Sequence, residues 1–313
     1  MRTVVIVNPT KVEDLDAVRR TLAASAAACG HEEPTMVETT EDDPGFGQTR
    51  QALRAGATLV CPLGGDGTVR AVAQELVGAE AALGLLPGGT GNLLARNVGA
   101  PVSDLGEAFE VALTGSERRI DVGWLVVDPD EGQRGPGVPE PAANVHCFTV
   151  MAGLGFDAQI MDDAPEGVKD KVGWAAYVAS GGRHLLDDGF DLELVLDGAT
   201  HEHEAARTVV VGNCGELTGG MVLLPDAAID DGVLDVAVLT PTGITDWLGV
   251  AARVLTRRDG DGPSLERHRA RELSLRVSPP QQTEVDGDVL TRAAELRLVV
   301  QPDCLIVRVP AES

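Results

Sequence analysis

Thr58-Leu59-Val60-Cys61-Pro62-Leu63-Gly64-Gly65-Asp66-Gly67-Thr68 decides how the chain is read. Thr58 to Leu63 is a short apolar run of strand character, bounded by glycines. Three glycines then surround one aspartate. Beyond them Val69, Val72, Ala73 and Leu76 mark one face of a helix. Glycine lets a backbone approach a ligand closely and take positive φ. A helix start presents free N–H groups and the positive end of its dipole, which suit phosphate. No Gly-Lys-Ser/Thr follows, so this is not a Walker A loop, and the spacing is not that of a G-x-G-x-x-G dinucleotide loop. Alone, the segment is equally a tight strand-to-helix turn with Asp66 or Thr68 as the helix cap.

On either side the same alternation continues. Residues 3–7 form a β-branched run. Leu15, Val18, Leu22 and Ala26 place a helix over 14–29, and 34–39 reads as a second strand. A helix over 46–55 is closed by Gly56, a fourth strand covers 82–86, and helices are expected at 92–97 and 104–114. Strand and helix in turn predict a parallel sheet with helices on both faces.

In that architecture, loops after parallel strands lie together at the carboxyl edge of the sheet, where ligands bind. Pro87-Gly88-Gly89-Thr90-Gly91-Asn92 is a second glycine loop between strand and helix. Asn8-Pro9-Thr10 ends the first strand, and Thr39-Thr40 ends the second. Four loops rich in Gly, Asn and Thr at one edge predict a phosphate site.

The pattern changes near residue 118. Ile120 to Val127 is strand-like, and 128–144, rich in Pro, Gly and charge, reads as an exposed insertion. Strands then dominate, at 145–151, 190–196, 205–212, 233–239, 271–277, 282–286 and 295–300, with helices at 171–186 and 243–256. Many strands separated by turn signals predict an antiparallel sandwich. The chain is therefore expected to hold an α/β domain over 1–121, rejoined by about 303–313, and a β-sandwich domain over 122–302.

The bulk composition narrows the partners. Lys and Arg total 25 against 49 Asp and Glu, a net charge of −24 over 313 residues. The acidic residues are scattered, so the surface repels nucleic acid. Five cysteines, Cys29, Cys61, Cys147, Cys214 and Cys304, form no C-x-x-C pair and read as reduced thiols of a cytoplasmic protein. No apolar stretch reaches membrane-span length, so any membrane contact is expected to be peripheral.

Taken together, Gly64-Gly65-Asp66-Gly67-Thr68, the Pro87–Asn92 loop and Asn8-Pro9 resemble the diacylglycerol kinase catalytic-domain family, which includes sphingosine kinases and many bacterial lipid kinases. The resemblance covers nearly the whole chain, because Asp231-Gly232-Val233-Leu234-Asp235 and Val285-Asp286-Gly287-Asp288 fall where the family has acidic turns. It implies an α/β domain with a parallel sheet like that of NAD kinase and phosphofructokinase, followed by an all-β sandwich. It implies a lipid kinase that transfers the γ-phosphoryl of ATP to a hydroxyl of diacylglycerol or a related lipid alcohol, with Mg2+.

By position in the family motifs, Asp66 lies at the reaction centre. Gly64, Gly65, Gly67 and Thr68 hold nucleotide phosphates, together with Gly89, Thr90 and Asn92 of the second loop, with Asn8, Pro9 and Thr10, and with Thr39. Asp121, in Arg119-Ile120-Asp121-Val122-Gly123, matches an aspartate that supports Asp66. Asp231 matches the carboxylate ligand of a structural magnesium ion whose shell is completed by backbone oxygens of Ala228 and Val233. Asp288 takes the place of the family's general base, usually a glutamate one methylene longer, where proton transfer needs a reach of about 3 Å or one water. Arg70-Ala71 stands where the family often has Asn-Glu; Arg70 either reaches a phosphate or is a surface arginine.

Two other functions fit parts of the chain. An NAD kinase shares the first glycine loop, though the second loop points away from it. A non-catalytic nucleotide- or lipid-binding relative fits the change at Asp288.

Other residues keep plainer readings. His31, His146, His184, His201, His203 and His268 show no helical ligand spacing, and His201-Glu202-His203 reads as a solvent-exposed turn. Trp174 and Tyr177 read as packing residues. The stripe Trp247, Leu248, Ala251, Val254 and Leu255, followed by Arg257-Arg258, is either core packing or a membrane-docking face. Arg267, Arg269 and Arg271 alternate on one strand face as a headgroup rim or a solvated edge. An edge strand of the second domain offers a surface for a homodimer.

Overall fold

The computed structural model describes residues 1–155, 189–216, 222–255, 262 and 264–311. The chain divides into two compact units, one of Met1–Val122 with Pro302–Ser313, the other of Gly123–Gln301.

The first unit is an α/β sheet. Strands β1 (Thr3–Val7), β2 (Thr35–Glu38), β3 (Leu59–Gly64), β4 (Ala82–Leu83) and β5 (Leu86–Pro87) alternate with helices α1 (Leu15–Ala28), α2 (Phe46–Arg54), α3 (Asp66–Leu76), α4 (Leu93–Asn97) and α5 (Leu105–Thr114). β1 pairs in parallel with β2 and β3, and β3 with β4 and β5. The helices start where the sequence supplies caps. Asp14 accepts the N–H of Ala17 at α1, and Asp104 accepts that of Glu107 at α5, each satisfying an orphan donor of the first turn. Val5, Leu59 and Cys61 of the strands pack on Leu22 and Ala26 of α1 and on Phe109 and Ala112 of α5. The strand expected over 82–86 is broken at Gly84-Leu85. A Cβ on Gly84 would lie 2.7 Å from both Ala112 Cβ and Cys61 Sγ, so α5 seats directly on the backbone there.

Strand β6 (Ser116–Val127) carries the chain out of this unit, and β15 (Asp288–Val309) brings it back, where Val307 pairs in parallel with Leu83.

The second unit is antiparallel. Its strands are the end of β6, β7 (Val145–Phe148), β8 (Met151–Leu154), β9 (Phe190–Leu196), β10 (Ala199–Ala206), β11 (Thr208–Gly212), β12 (Leu234–Leu239), β13 (Leu265–Ala270), β14 (Glu272–Val285) and most of β15; α6 (Ile244–Leu255) interrupts them. One path of paired strands runs β13-β12-β11-β8-β14-β9-β10. It folds into two layers because the chain turns a corner at Arg207, between β10 and β11, and at Arg271, between β13 and β14. Leu192, Leu194 and Leu275 from one layer meet Val209, Val211, Val236 and Val238 from the other in a continuous core, as a sandwich requires.

Several expected strands have different limits. The 145–151 run is split into β7 and β8 at Thr149-Val150. The 205–212 run is the end of β10 plus β11. The segments 271–277 and 282–286 are one strand, β14, whose register slips between Arg276 and Gln281 at Pro279-Pro280; a bulge is where a strand tolerates proline. The 295–300 segment is the middle of β15.

On α6, Trp247, Val250 and Val254 are buried against Val210, Leu239 and Leu265, so this stripe is core, with Leu248 left exposed. The 128–144 segment is largely exposed, pinned by the Arg134–Glu295 ion pair at 2.8 Å. The helix expected at 171–186, with Trp174, Tyr177 and His184, lies outside the described residues, as do Arg257 and Arg258.

Candidate functional site

In the first unit, parallel pairing brings the carboxyl ends of β2, β1, β3 and β5 to one edge. The loops begin as continuations of the ladder. Asn8 donates its N–H to Leu63 O at 2.9 Å, and Thr39 donates to Val7 O at 2.9 Å. Asn8 Oδ1 accepts both the N–H and the hydroxyl of Thr10, at 3.0 and 2.8 Å, which folds Pro9–Lys11 into a single 3-10 turn. Asn8, Pro9, Thr10 and Thr39 thus flank the two glycine loops.

Those loops touch backbone to backbone. A Cβ on Gly88 would fall on the Gly64 backbone, and one on Gly89 would lie 2.8 Å from Gly65 Cα. A Cβ on Gly91 would fall on Asp66 Oδ2. Close approach, rather than positive φ, fixes glycine at these positions. Asp66 opens α3, whose N-cap, Gly65, supplies no side-chain bond to the first turn. Its Oδ1 accepts the N–H of Leu93 at 2.8 Å, joining the first loop to the helix after the second.

Two expected phosphate contacts have a different immediate role. Thr68 is buried, and its Oγ1 lies against Gly64, so the side chain packs beneath the loop. Asn92, at φ +46°, donates from its amide to Gly89 O at 2.8 Å, while its Oδ1 accepts the Gly89 N–H at 3.3 Å. Asn92 therefore shapes the second loop and leaves Thr90 exposed at its tip. Arg70 is half-buried on α3. Asp121 is buried, and its Oδ1 accepts the N–H of Asp303 at 2.8 Å, where the chain turns at positive φ.

The second unit carries the other candidates. Asp286 and Gly287 take φ of +46° and +85° between the paired residues Val285 and Asp288, the primed two-residue turn that Asp-Gly favours. Asp288 is exposed just past it. The buried acid of the pair is Asp286. Its Oδ1 accepts the N–H groups of Val150 and Met151 at 2.9 and 3.0 Å, and its Oδ2 accepts the N–H of Thr149 at 2.9 Å and the Thr149 hydroxyl at 3.2 Å. That is why β7 and β8 are separate strands: the chain breaks so that three amides converge on one carboxylate. Next to it, burial and the negative charge of Asp286 push the Glu284 carboxyl up to about 7. Neither role is marked by sequence spacing. The available signal was Glu284 itself, an acid between the buried Thr283 and Val285.

At the 228–235 turn, Asp231 Oδ1 accepts the Val233 N–H at 3.2 Å, and its Oδ2 pairs with Arg269. Asp235 lies 3.5 Å from the Arg269 Nε, and burial pushes its carboxyl up to about 6, with Asp231 and Asp226 adding to the rise. Three carboxylates around one guanidinium leave excess negative charge. The side-chain donors gathered at this turn are carboxylate oxygens, the kind magnesium takes. Arg267 donates to Leu223 O at 3.1 Å. Arg267 and Arg269 are thus engaged within the unit and do not form a basic rim.

Residues 2–125 match the diacylglycerol kinase catalytic domain, and residues 150–309 match the YegS C-terminal NAD kinase beta sandwich-like domain. The chain is 31% identical over 302 residues to a probable lipid kinase, YegS-like, of Pseudomonas aeruginosa, covering 95% of this chain and 91% of that protein. It is 28% identical over 271 residues to a probable lipid kinase YegS of Escherichia fergusonii, covering 82% and 83%. In fold it is similar to a crystal structure of a diacylglycerol kinase from Bacillus anthracis str. Sterne, with a TM-score of 0.70, 21% identity and coverage of 98% and 96%. The chain belongs to the family of lipid kinases built on the diacylglycerol kinase catalytic domain with a YegS-type C-terminal β-sandwich.

Proposed function

We propose that the protein transfers the γ-phosphoryl of ATP to the hydroxyl of diacylglycerol or a related lipid alcohol. One observation carries this reading. Asp66 stands at the start of α3, whose first turn has no side-chain cap, and its carboxylate is tied to the helix that follows the second glycine loop.

In the proposed reaction the phosphates of ATP lie on the two glycine loops. Gly64, Gly65 and Gly67 offer backbone N–H groups, Gly89 with Asn92 shapes the second loop, and Thr90, Asn8, Thr10 and Thr39 offer side chains. Asp66 orients the lipid hydroxyl, and Asp288, at the position of the family's general base, is the candidate to accept its proton. Asp121 keeps the Asp303 turn in place. Holding donor and acceptor in line is most of the catalysis in phosphoryl transfer, because little covalent chemistry is left to the protein. Asp231, with backbone oxygens of Ala228 and Val233, would hold a magnesium ion bracing the turn, and magnesium bound with ATP would neutralise phosphate charge. Among the described residues no helix is long and apolar enough to cross a membrane. In this reading the protein meets its lipid by peripheral contact from the cytoplasm.

The test is an assay of radiolabelled ATP against a mixed lipid extract, with the labelled product identified, run beside NAD as acceptor. Label in a lipid, lost in Asp66→Asn, supports the proposal. Label in NAD and none in lipid overturns it.

A further inference from the structure

His201 and His203 do not form a solvent-exposed turn. They lie on β10, paired with Leu194 and Leu192 of β9. Directly paired residues project from the same face, and Leu192 and Leu194 belong to the core. The two imidazoles therefore project inward. On the other layer, Glu266 and His268 of β13 pair with Val238 and Val236 of β12, which are core residues too. β10 and β13 are the two ends of the seven-strand path, so each places inward polar groups at a free edge of the sandwich.

There the two edges meet. One ligand atom from each of His203, Glu266 and His268 lies within 4.8 Å of the other two. The His201 ring centroid is 4.8 Å from that of His268. His203 Nε2 is fully enclosed and makes no hydrogen bond, although burying an imidazole nitrogen without a partner is costly. Beside His203 the edge opens into a depression of about 400 Å³, in which the carboxylates of Asp191, Glu193, Glu202 and Glu204 outnumber the one cation, Arg276.

We infer that His203, Glu266 and His268 bind a divalent transition-metal ion of the zinc type, which clasps the open edges of the β-sandwich. Two imidazoles and a carboxylate suit zinc and not magnesium. Bonds of about 2.1 Å in a tetrahedron place donor atoms about 3.4 Å apart, so binding draws the three groups together by small side-chain rotations. His201 or a water completes the shell. The site shares no residue with the set named at the Asp231 turn, and its role is structural.

The full chain, stripped of metal with a chelator, is titrated with Co2+ and followed by its visible spectrum, and with Zn2+ by calorimetry in excess Mg2+. One ion per chain with the intense bands of a tetrahedral cobalt site is expected, together with a rise in melting temperature on adding Zn2+. His203→Ala and His268→Ala should each weaken binding by more than about 100-fold and abolish the thermal shift, beyond the roughly 10–100-fold typical of losing a supporting partner. His31→Ala should change neither. Glu266→Gln, nearly isosteric, covers the case in which a histidine variant fails to fold. Zn2+ affinity and thermal shift unchanged in a folded His203→Ala/His268→Ala or Glu266→Gln protein overturn the inference, as does a wild type that binds no Zn2+ in excess Mg2+.

Discussion

Asp66 accepts the backbone N–H of Leu93 across 2.8 Å, so a single carboxylate joins the first glycine loop to the helix that follows the second. Asp66→Asn keeps an oxygen acceptor for Leu93 but cannot take a proton. It is expected to fold normally and lose phosphoryl transfer by about 1,000-fold, within the range of removing an acid–base group and its charge. Asp66→Ala is expected to lose the same activity and also lower the melting temperature. Asp288→Asn should be nearly as inactive, whereas Asp288→Glu, which supplies the missing methylene, should retain or raise kcat. These outcomes are read from steady-state kinetics beside thermal unfolding.

Gly88 and Gly65 make a paired test of close approach. A Cβ on Gly88 falls on the Gly64 backbone, while one on Gly65 meets nothing within 4 Å. Gly88→Ala should destabilise the protein by about 1–3 kcal/mol, the usual range for overpacking. Gly65→Ala should leave the unfolding midpoint nearly unchanged and raise the KM for ATP, since the new methyl occupies space reserved for phosphate. Denaturant unfolding and ATP kinetics on both variants separate the two effects.

Asp286 gathers the amides of Thr149, Val150 and Met151 in a buried place. Asp286→Ala leaves these donors without an acceptor and puts alanine at positive φ, so a loss of about 3–5 kcal/mol is expected. Asp286→Asn tolerates the φ but can accept only at one oxygen, and should lose about half as much. Urea unfolding measures both.

Glu284 makes stability depend on pH. Its carboxyl is raised to about 7 in the folded protein, so there it keeps a proton that the unfolded chain has released. Its contribution is complete in acid and declines as pH rises from about 4.5 to about 7, because the unfolded state then binds fewer protons. Glu284→Gln cannot ionise. It should match the wild type in acid and become more stable than it, by roughly 3 kcal/mol, as pH passes neutrality. Unfolding free energies across that window give the difference directly.

The first unit was legible because its signals are local. Periodicity found α1, α2, α3 and α5, and glycine marked the loops at the carboxyl edge. The break at Gly84-Leu85 was not legible, since it answers to Ala112 and Cys61, far away in the chain. The second unit was read as a sandwich, yet its strand limits depend on long-range partners. β7 and β8 divide because Asp286, 137 residues from Thr149, draws three amides together. β14 looked like two strands because Pro279-Pro280 reads as a stop, while the ladder passes it with a slip in register. His201 and His203 looked solvent-exposed because their neighbours in sequence are Glu202 and Glu204. Only the pairing with Leu194 and Leu192 turns them inward.

The parallel pairing of Val307 with Leu83 places the last strand of the first unit's sheet more than two hundred residues after the strand beside it. During synthesis, a nascent chain that has released residues 1–122 still lacks Leu305, Ile306 and Val307, which are buried in the finished unit. The outer face of β4 then waits as an unpaired edge while the second unit is made. A ribosome stalled before residue 302 should therefore hold a first unit that proteases cut readily, and release of the final strand should protect it.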